Sequence, residues 1–481
     1  MTGRMTIKTK VASLFGAAIT GITSLAAAEQ PTNFIIVLVD DMGWGDVGYQ
    51  GANDFLTPNI DQLAADGVQF SQGYVTSSVC GPSRCGLITG RYQDRFGVCG
   101  NWGAFSKDGF PVDQPMASDL FKQAGYKTGV IGKWHFGFAD EKYRPENRSW
   151  DYFYGFYVGG HDFYRADHPY TSKKKDFWPI MRNTEEVDYK TGDYLTEKFT
   201  EEAVSFIDRN KDEPFFLYVA YNAVHFPWQV PDSYLDRIDA ERDIDLKYRR
   251  ILAGMVLAVD DGVGAINQAL ARNGIADNTA VIFLADNGSP AGVGGWDKSN
   301  LGEYKMSSKG PFKGFKGDTY EGGIRVPFAM KWPGQIKPGT KYEEPVISID
   351  LVPTMMKHIG VATPETGFDG KNILPYIQGK KEGKPHETLY FRYMNDYAIR
   401  HGDWKLTWNS KEVEERNGDR KKIPSKDVRS RLFNLAEDIG EQNDLSEQFP
   451  EKKKMLQKMF DDWDGEMPQD VGLFPKPFTR K

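Results

Sequence analysis

Acidic, amide and basic side chains stand where short apolar runs end. Phe34–Val39 runs straight into Asp40-Asp41, and Ala280–Leu284 runs toward Asp286-Asn287. The run Thr128–Ile131 leads to Lys133 and His135, and Phe215–Val219 leads to His225. One such coincidence means little, because Asp often ends a strand as a turn former. Four of them imply a site, since open α/β sheets gather their ligands at the carboxyl ends of the strands. The oxygen-rich set Asp40, Asp41, Asp286 and Asn287 suits a hard divalent cation, Ca²⁺ first and Mg²⁺ second. Adjacent carboxylates repel one another unless a cation offsets them. Zinc fits less well, because the three cysteines and seven histidines show no compact C-x₂-C or H-x₃-H spacing.

These groups need rigid elements to hold them. The apolar runs read as buried strands of a mostly parallel sheet. Helical patterns lie between them, at Ile60 to Gly67 after Thr57-Pro58-Asn59 and at Leu252 to Ala271. The alternation predicts an α/β fold with a large, mostly parallel sheet sandwiched by helices. From about residue 376 the texture changes. Leu389–Tyr393, Tyr397–Arg400 and Trp404–Trp408 are close-spaced hairpin-like strands, followed by a charged amphipathic helix over Glu451 to Trp463. The expected organisation is a catalytic domain over 29–375 and a smaller C-terminal antiparallel sheet-plus-helix subdomain over 376–481.

Composition bounds the rest. The 481 residues are 40% hydrophobic and 26% charged, enough for more than one core. Sixty Lys and Arg against 67 Asp and Glu give a net charge of −7, which offers no basic field for nucleic acid. A mean hydropathy of −0.54 and the lack of a long apolar run argue against a membrane-spanning body. Three cysteines are too few for a disulfide scaffold, although Cys85 and Cys99 could pair in an oxidising compartment. Arg4, Lys8 and Lys10, the apolar Val11 to Leu25, and Ala26-Ala27-Ala28 make the three-part shape of a secretory signal over 1–28. No cysteine stands at the cleavage point, so no lipid anchor is expected. The mature protein is expected in a periplasm or secreted.

Cys80-Gly81-Pro82-Ser83-Arg84 continues into Leu87-Ile88-Thr89-Gly90-Arg91, matching C-x-P-S-R-x-x-L-x-T-G-R. This resembles the signature of the formylglycine-dependent (type I) sulfatases of the alkaline-phosphatase-like superfamily. Supporting segments occur along the mature chain: Gly43-Trp44-Gly45-Asp46, Thr57–Asp61, Gly132–His135, Ala285–Gly288, Lys316 before Tyr320–Gly323, and Leu432–Leu435. The resemblance implies that a maturation enzyme oxidises Cys80 to formylglycine, whose hydrate attacks the sulfur of a sulfate ester. It implies that Asp40, Asp41, Asp286 and Asn287 hold the cation beside residue 80. Arg84, Lys133 and Lys316 would neutralise sulfate oxygens. His225, assisted by Lys316, would protonate the departing alcohol, and His135 would then remove the hydrate's second proton to expel sulfate.

The substrate is read from the stretch Ser149 to Tyr170, crowded with aromatic residues around Gly159-Gly160-His161-Asp162 and Arg165. Most of these rings belong to a core; His161 and Arg165 are the candidate substrate-binding groups. The Gly160–Tyr164 neighbourhood looks similar to carrageenan sulfatases, which act on galactose sulfate. Basic runs Lys173–Lys175 and Arg420–Lys422 could flank a sulfated chain. The expected function is therefore hydrolysis of sulfate esters on a sulfated polysaccharide or oligosaccharide. The alternatives are a phosphonate or phosphate monoester hydrolase on the same scaffold, and an inactive relative that binds sulfated sugar.

Overall fold

A computed structural model describes residues 1–3, 31–103, 106–165, 179–187, 192–244, 247–290, 306–409, 413–416, 419–422 and 429–468, the two short pieces 413–416 and 419–422 in backbone only. Residues 4–28 of the expected signal segment, Tyr170 and Lys173–Lys175 lie outside these residues, as do the side chains of Arg420–Lys422. Pro31–Lys481 forms one compact unit.

The four apolar runs form the centre of a ten-stranded sheet. Its order is Thr340–Tyr342, Val68–Phe70, Phe328–Lys331, Thr279–Ala285, Asn33–Val39, Phe215–Tyr221, Lys127–Lys133, Tyr152–Phe156, Met181–Arg182 and Glu185–Glu186. From Thr279–Ala285 to Tyr152–Phe156 every pairing is parallel. Phe328–Lys331 pairs antiparallel with both neighbours, and so do the last two strands. The sheet is thus mixed: parallel in the middle and antiparallel toward both flanks, with Thr340–Tyr342 again parallel to Val68–Phe70.

The central strands are apolar at nearly every position because both faces are covered. Successive side chains point to opposite faces. Ile35, Val37 and Val39 pack with Phe199 and Phe206 of helix Leu195–Asn210 and with Val256, Val259 and Val263 of helix Lys247–Arg272. Phe34, Ile36 and Leu38 join a second core with Leu120 and Phe121 of helix Ala117–Gln123, Leu351 and Met355 of helix Leu351–His358, and Cys85 and Ile88 of helix Cys80–Thr89. No helix of the described residues is long and apolar enough to cross a membrane.

The C-terminal strands Thr388–Tyr393, Asp396–His401, Trp404–Trp408 and Arg431–Asn434 form an antiparallel four-stranded sheet. Helix Pro450–Gly465 lays Leu456, Phe460 and Trp463 on it, and Tyr74, Ile324 and Ile347 of the catalytic layer enter the same core. A buried ionic network crosses this junction. Lys405 Nζ lies 2.8 Å from Glu321 Oε1 and 2.9 Å from Glu441 Oε1, while Tyr74 donates to Glu321 Oε2 at 2.6 Å. Cys80, Cys85 and Cys99 are all free thiols, so the possible Cys85–Cys99 disulfide is not formed.

A second buried carboxyl near this junction is less well matched. Asp94 accepts from Gln93 Nε2 at 2.8 Å, and Arg392 Nε stays 3.8 Å away. Burial pushes Asp94 up to about 7 against the pull of Arg392. The folded protein keeps a proton that the unfolded chain releases near pH 4, so this group's contribution to stability declines as pH rises from about 4 to about 7. Asp94→Asn should remove that decline. Thermal midpoints of variant and wild type should diverge in the variant's favour from about pH 4 to about pH 7; a gap independent of pH sinks the assignment.

Candidate active site

Parallel strand ends deliver the site to one rim. Val39 passes directly into Asp40, and Ala285 into Asp286, on neighbouring strands. The main chain ties these ends together. Asp286 N donates to Val39 O at 3.0 Å, Asp40 N to Ala223 O at 2.9 Å, and Val224 N to Asp40 O at 2.7 Å. Asp41 then leaves the strand with φ of 63°, and His135 follows Lys127–Lys133 with φ of 62°. Left-handed backbone is costly for residues bearing a Cβ and clusters where function over-determines geometry. Asp41 N donates to Asp286 Oδ1 at 3.2 Å.

Cys80 opens helix Cys80–Thr89, which is buried along its whole length. The positive dipole end of that helix therefore lies at the rim. Cys80 Sγ is 3.3 Å from Asp40 Oδ1, 4.0 Å from Asp41 Oδ1 and 3.3 Å from Lys316 Nζ. Four residues on, and so on the same helix face, Arg84 donates from Nε to Asp286 Oδ2 at 2.9 Å and holds a second nitrogen 3.7 Å from Asp40 Oδ2. Lys133 Nζ donates to Asp40 Oδ2. Lys316 Nζ sits 2.6 and 2.8 Å from the two oxygens of Asp41. The Lys316 main chain is fixed by Lys316 N to Ser289 O at 2.7 Å and Gly317 N to Ser78 O at 2.9 Å.

This alternation of charge sets the titration of each group. Burial alone would raise Asp41, but Lys316, His225 and Lys133 overcome it and hold its carboxyl well below the usual range. Burial and the Asp40 charge push Asp286 up to about 6, against Arg84 and Lys133. Burial raises the Cys80 thiol, and Asp40 adds to the rise. An unmodified thiol here is therefore protonated and a poor nucleophile. Burial lowers His135 well below its ordinary range, helped by Lys133, Arg84 and Lys316. Burial and then Lys316 bring His225 down to about 3.

The donor set fits a hard cation. Ligand atoms of Asp40, Asp41, Cys80 and Asp286 all lie within 4.8 Å of one another. Asn287 Nδ2 donates to Asp41 Oδ1 at 2.8 Å and to Gly288 O at 3.0 Å, leaving its buried Oδ1 without a hydrogen-bond partner. An orphaned buried carbonyl is costly, and beside three carboxylates a cation is the partner that satisfies it.

The structure thus brings together Asp40, Asp41, Cys80, Arg84, Lys133, Asp286, Asn287 and Lys316. His225 Nε2 stands 3.8 Å from Asp41 Oδ2. A Cβ on Gly159 would lie 2.9 Å from His135 Nε2, so the loop that leads to His161 abuts His135. His161 itself is buried, its Nδ1 2.7 Å from Asp162 O and its ring centre 5.1 Å from that of Phe156. Arg165 is exposed at the end of the described part of the loop. Of the aromatic stretch, Trp150, Phe153, Tyr154, Phe156 and Phe163 are core, and Tyr152, Tyr157 and Tyr164 are part-buried. The sequence reading missed Asn101, whose Oδ1 accepts from Gly81 N at 2.8 Å beside Cys80. It gave no role to Glu321 within the Tyr320–Gly323 segment, which opens the turn whose Gly323 O holds Gly288 N at 3.0 Å. Asn101 lies in no spacing pattern that marks it.

The chain is similar to known proteins over most of its length. The sulfatase family profile matches residues 32–361, and that of the N-sulphoglucosamine sulphohydrolase C-terminal region matches residues 315–459. The chain is 32% identical over 410 residues to the uncharacterized sulfatase YdeN of Escherichia coli strain K12, covering 74% of this chain and 68% of that one. It is 31% identical over 412 residues to human N-acetylgalactosamine-6-sulfatase, covering 80% and 74%. Among solved structures, that of Ps i-CgsB in complex with k-i-k-neocarrahexaose superposes with a TM-score of 0.80 at 33% identity, covering 92% of this chain and 94% of that one.

The cation assignment is testable without turnover. Asn287→Leu and Asp286→Ala should each weaken Ca²⁺ binding by about tenfold or more, measured by equilibrium dialysis on protein stripped with a chelator. Ca²⁺ binding equal to that of the wild type in both variants overturns it.

Proposed function

The chain belongs to the sulfatase family and is a sulfuric ester hydrolase, and on that premise we propose that it desulfates a sulfated polysaccharide or oligosaccharide through a formylglycine made from Cys80. The substrate class we assign is galactose sulfate of carrageenan. The observation that carries the mechanism is the setting of Cys80, with its Sγ 3.3 Å from both Asp40 Oδ1 and Lys316 Nζ at the start of a buried helix. The substrate class is supported by the likeness to the structure solved with k-i-k-neocarrahexaose.

Once present, formylglycine supplies an oxygen nucleophile where the thiol stands, and Ca²⁺ held by Asp40, Asp41, Asp286 and Asn287 supplies Lewis-acid charge. The protein's own groups do the rest. Arg84 and Lys133 hold Asp286 and Asp40 in place, and add positive charge beneath the sulfate. Lys316, between Asp41 and residue 80, reaches a sulfate oxygen with the most exposed of the three cationic heads. His225 gives a proton to the alcohol oxygen as the S–O bond breaks, leaving the sugar's C–O bond intact. Its low affinity for protons rises when the anionic ester arrives, because negative charge favours the imidazolium. His135, buried and neutral, takes the proton that must leave before sulfate departs. His161 and Arg165 are assigned to the sugar. The signal segment over 1–28 and a periplasmic or secreted location complete the reading, with a formylglycine-generating enzyme as the maturation partner.

Cys80→Ala should abolish sulfate release from a panel of defined sulfated oligosaccharides while the thermal midpoint stays near that of the wild type. Coexpressed with a maturation enzyme, the peptide containing residues 80–84 should carry the mass of the aldehyde form. Sulfate release undiminished by the substitution, or a thiol in every molecule of active enzyme, overturns the mechanism. A phosphate ester of the same alcohol turned over faster than the sulfate ester overturns the substrate assignment.

A further inference from the structure

The sulfate-binding groups described above can recognise any sulfate ester. Discrimination among alcohols must come from side chains that face the leaving group, and the C-terminal sheet brings one candidate side chain near the site. In the hairpin formed by Thr388–Tyr393 and Asp396–His401, the last paired residues are Tyr393 and Asp396. Two main-chain bonds tie the end of this hairpin to the catalytic layer: Arg392 N to Thr76 O at 3.4 Å and Met394 N to Cys99 O at 2.7 Å. The segment Thr76–Ser78 leads into Cys80, and its far end accepts Gly317 N at Ser78 O. Tyr393 is therefore set beside the backbone that carries both Cys80 and Lys316. A Cβ built on Gly317 would lie 3.8 Å from Tyr393 Cε1, and Gly317 directly follows the lysine whose Nζ is 3.3 Å from Cys80 Sγ.

The tyrosine ring is part-buried, and the described residues give it neither a ring partner nor a hydrogen bond to its hydroxyl. Burial and Asp396 raise its phenol, and Lys316 and Cys80 also act on it. Such an unmatched amphipathic ring, with one end apolar and the other wet, suits a ligand that offers both C–H faces and hydroxyls. The absence of a Cβ at Gly317 leaves the space beside the ring open. Resting on the carbohydrate reading above, we propose that Tyr393 contacts the sugar that carries the scissile sulfate, stacking on one face and hydrogen-bonding a hydroxyl.

The test compares matured wild type, Tyr393→Phe and Tyr393→Ala on the oligosaccharide from which the wild type releases sulfate, with inhibition by inorganic sulfate measured in each. Tyr393→Ala should raise KM about tenfold with a smaller change in kcat. Tyr393→Phe, which keeps the ring, should lose only part of that. The inhibition constant for inorganic sulfate, which occupies the anion site alone, should be unchanged in both. An unchanged KM in Tyr393→Ala overturns the inference, and so does an equal loss for inorganic sulfate, which marks a general disturbance of the site. If the wild type releases sulfate from no oligosaccharide but does so from another ester, the carbohydrate reading fails and takes the inference with it.

Discussion

Three carboxylates placed within contact distance in a dry site are stable only with matching positive charge beside them. Asp40, Asp41 and Asp286 meet that condition through Lys133, Lys316 and Arg84, each from a different element: a strand end, a loop and a buried helix. The parallel order of the central strands is what brings the carboxylates to one rim, and the buried helix is what brings Cys80 and Arg84 to them. The six charges balance as they stand. A divalent cation would leave the cluster at about +2, and a singly charged sulfate ester would offset part of that excess. Cation loading would in this way favour binding of the ester.

The same balance explains how an acidic chain can take an anionic substrate. A net charge of −7 offers no long-range attraction to a polyanion. The positive charge is local and gathered at one rim of the sheet, where it is weakly screened by salt. Attraction of an anion by this enzyme belongs to that cluster and not to the surface field.

Much of this was legible in the chain. The apolar runs identified the central strands because strands buried on both faces lack alternation, and polar residues at their ends are conspicuous. The stretch from Cys80 to Arg91 carried the family resemblance outright. The mixed character of the sheet was not legible, because Phe328–Lys331 is short and an apolar pattern does not encode strand direction. Two-residue strands such as Met181–Arg182 fall below any pattern. Lys405 was hidden for another reason: within Trp404–Trp408 it reads as one polar residue of a hairpin, and only the fold shows that it is fully buried between Glu321 and Glu441. Tyr393 likewise read as the end of a hairpin-like strand, since nothing local records that its hairpin docks on Cys99.

The Lys405 network has a bearing on how such enzymes diversify. Burial would raise Glu321, but Lys405 and Arg325 hold it ionised at the root of the turn behind Asn287. Exchange of the C-terminal sheet between relatives, an obvious route to new specificity if Tyr393 faces the sugar, would strand that negative charge unless the incoming sheet carried a cation at the same register. A chimera with a cation at this register keeps a buried partner for Glu321, and one without it leaves Glu321 to Arg325 alone within the catalytic layer.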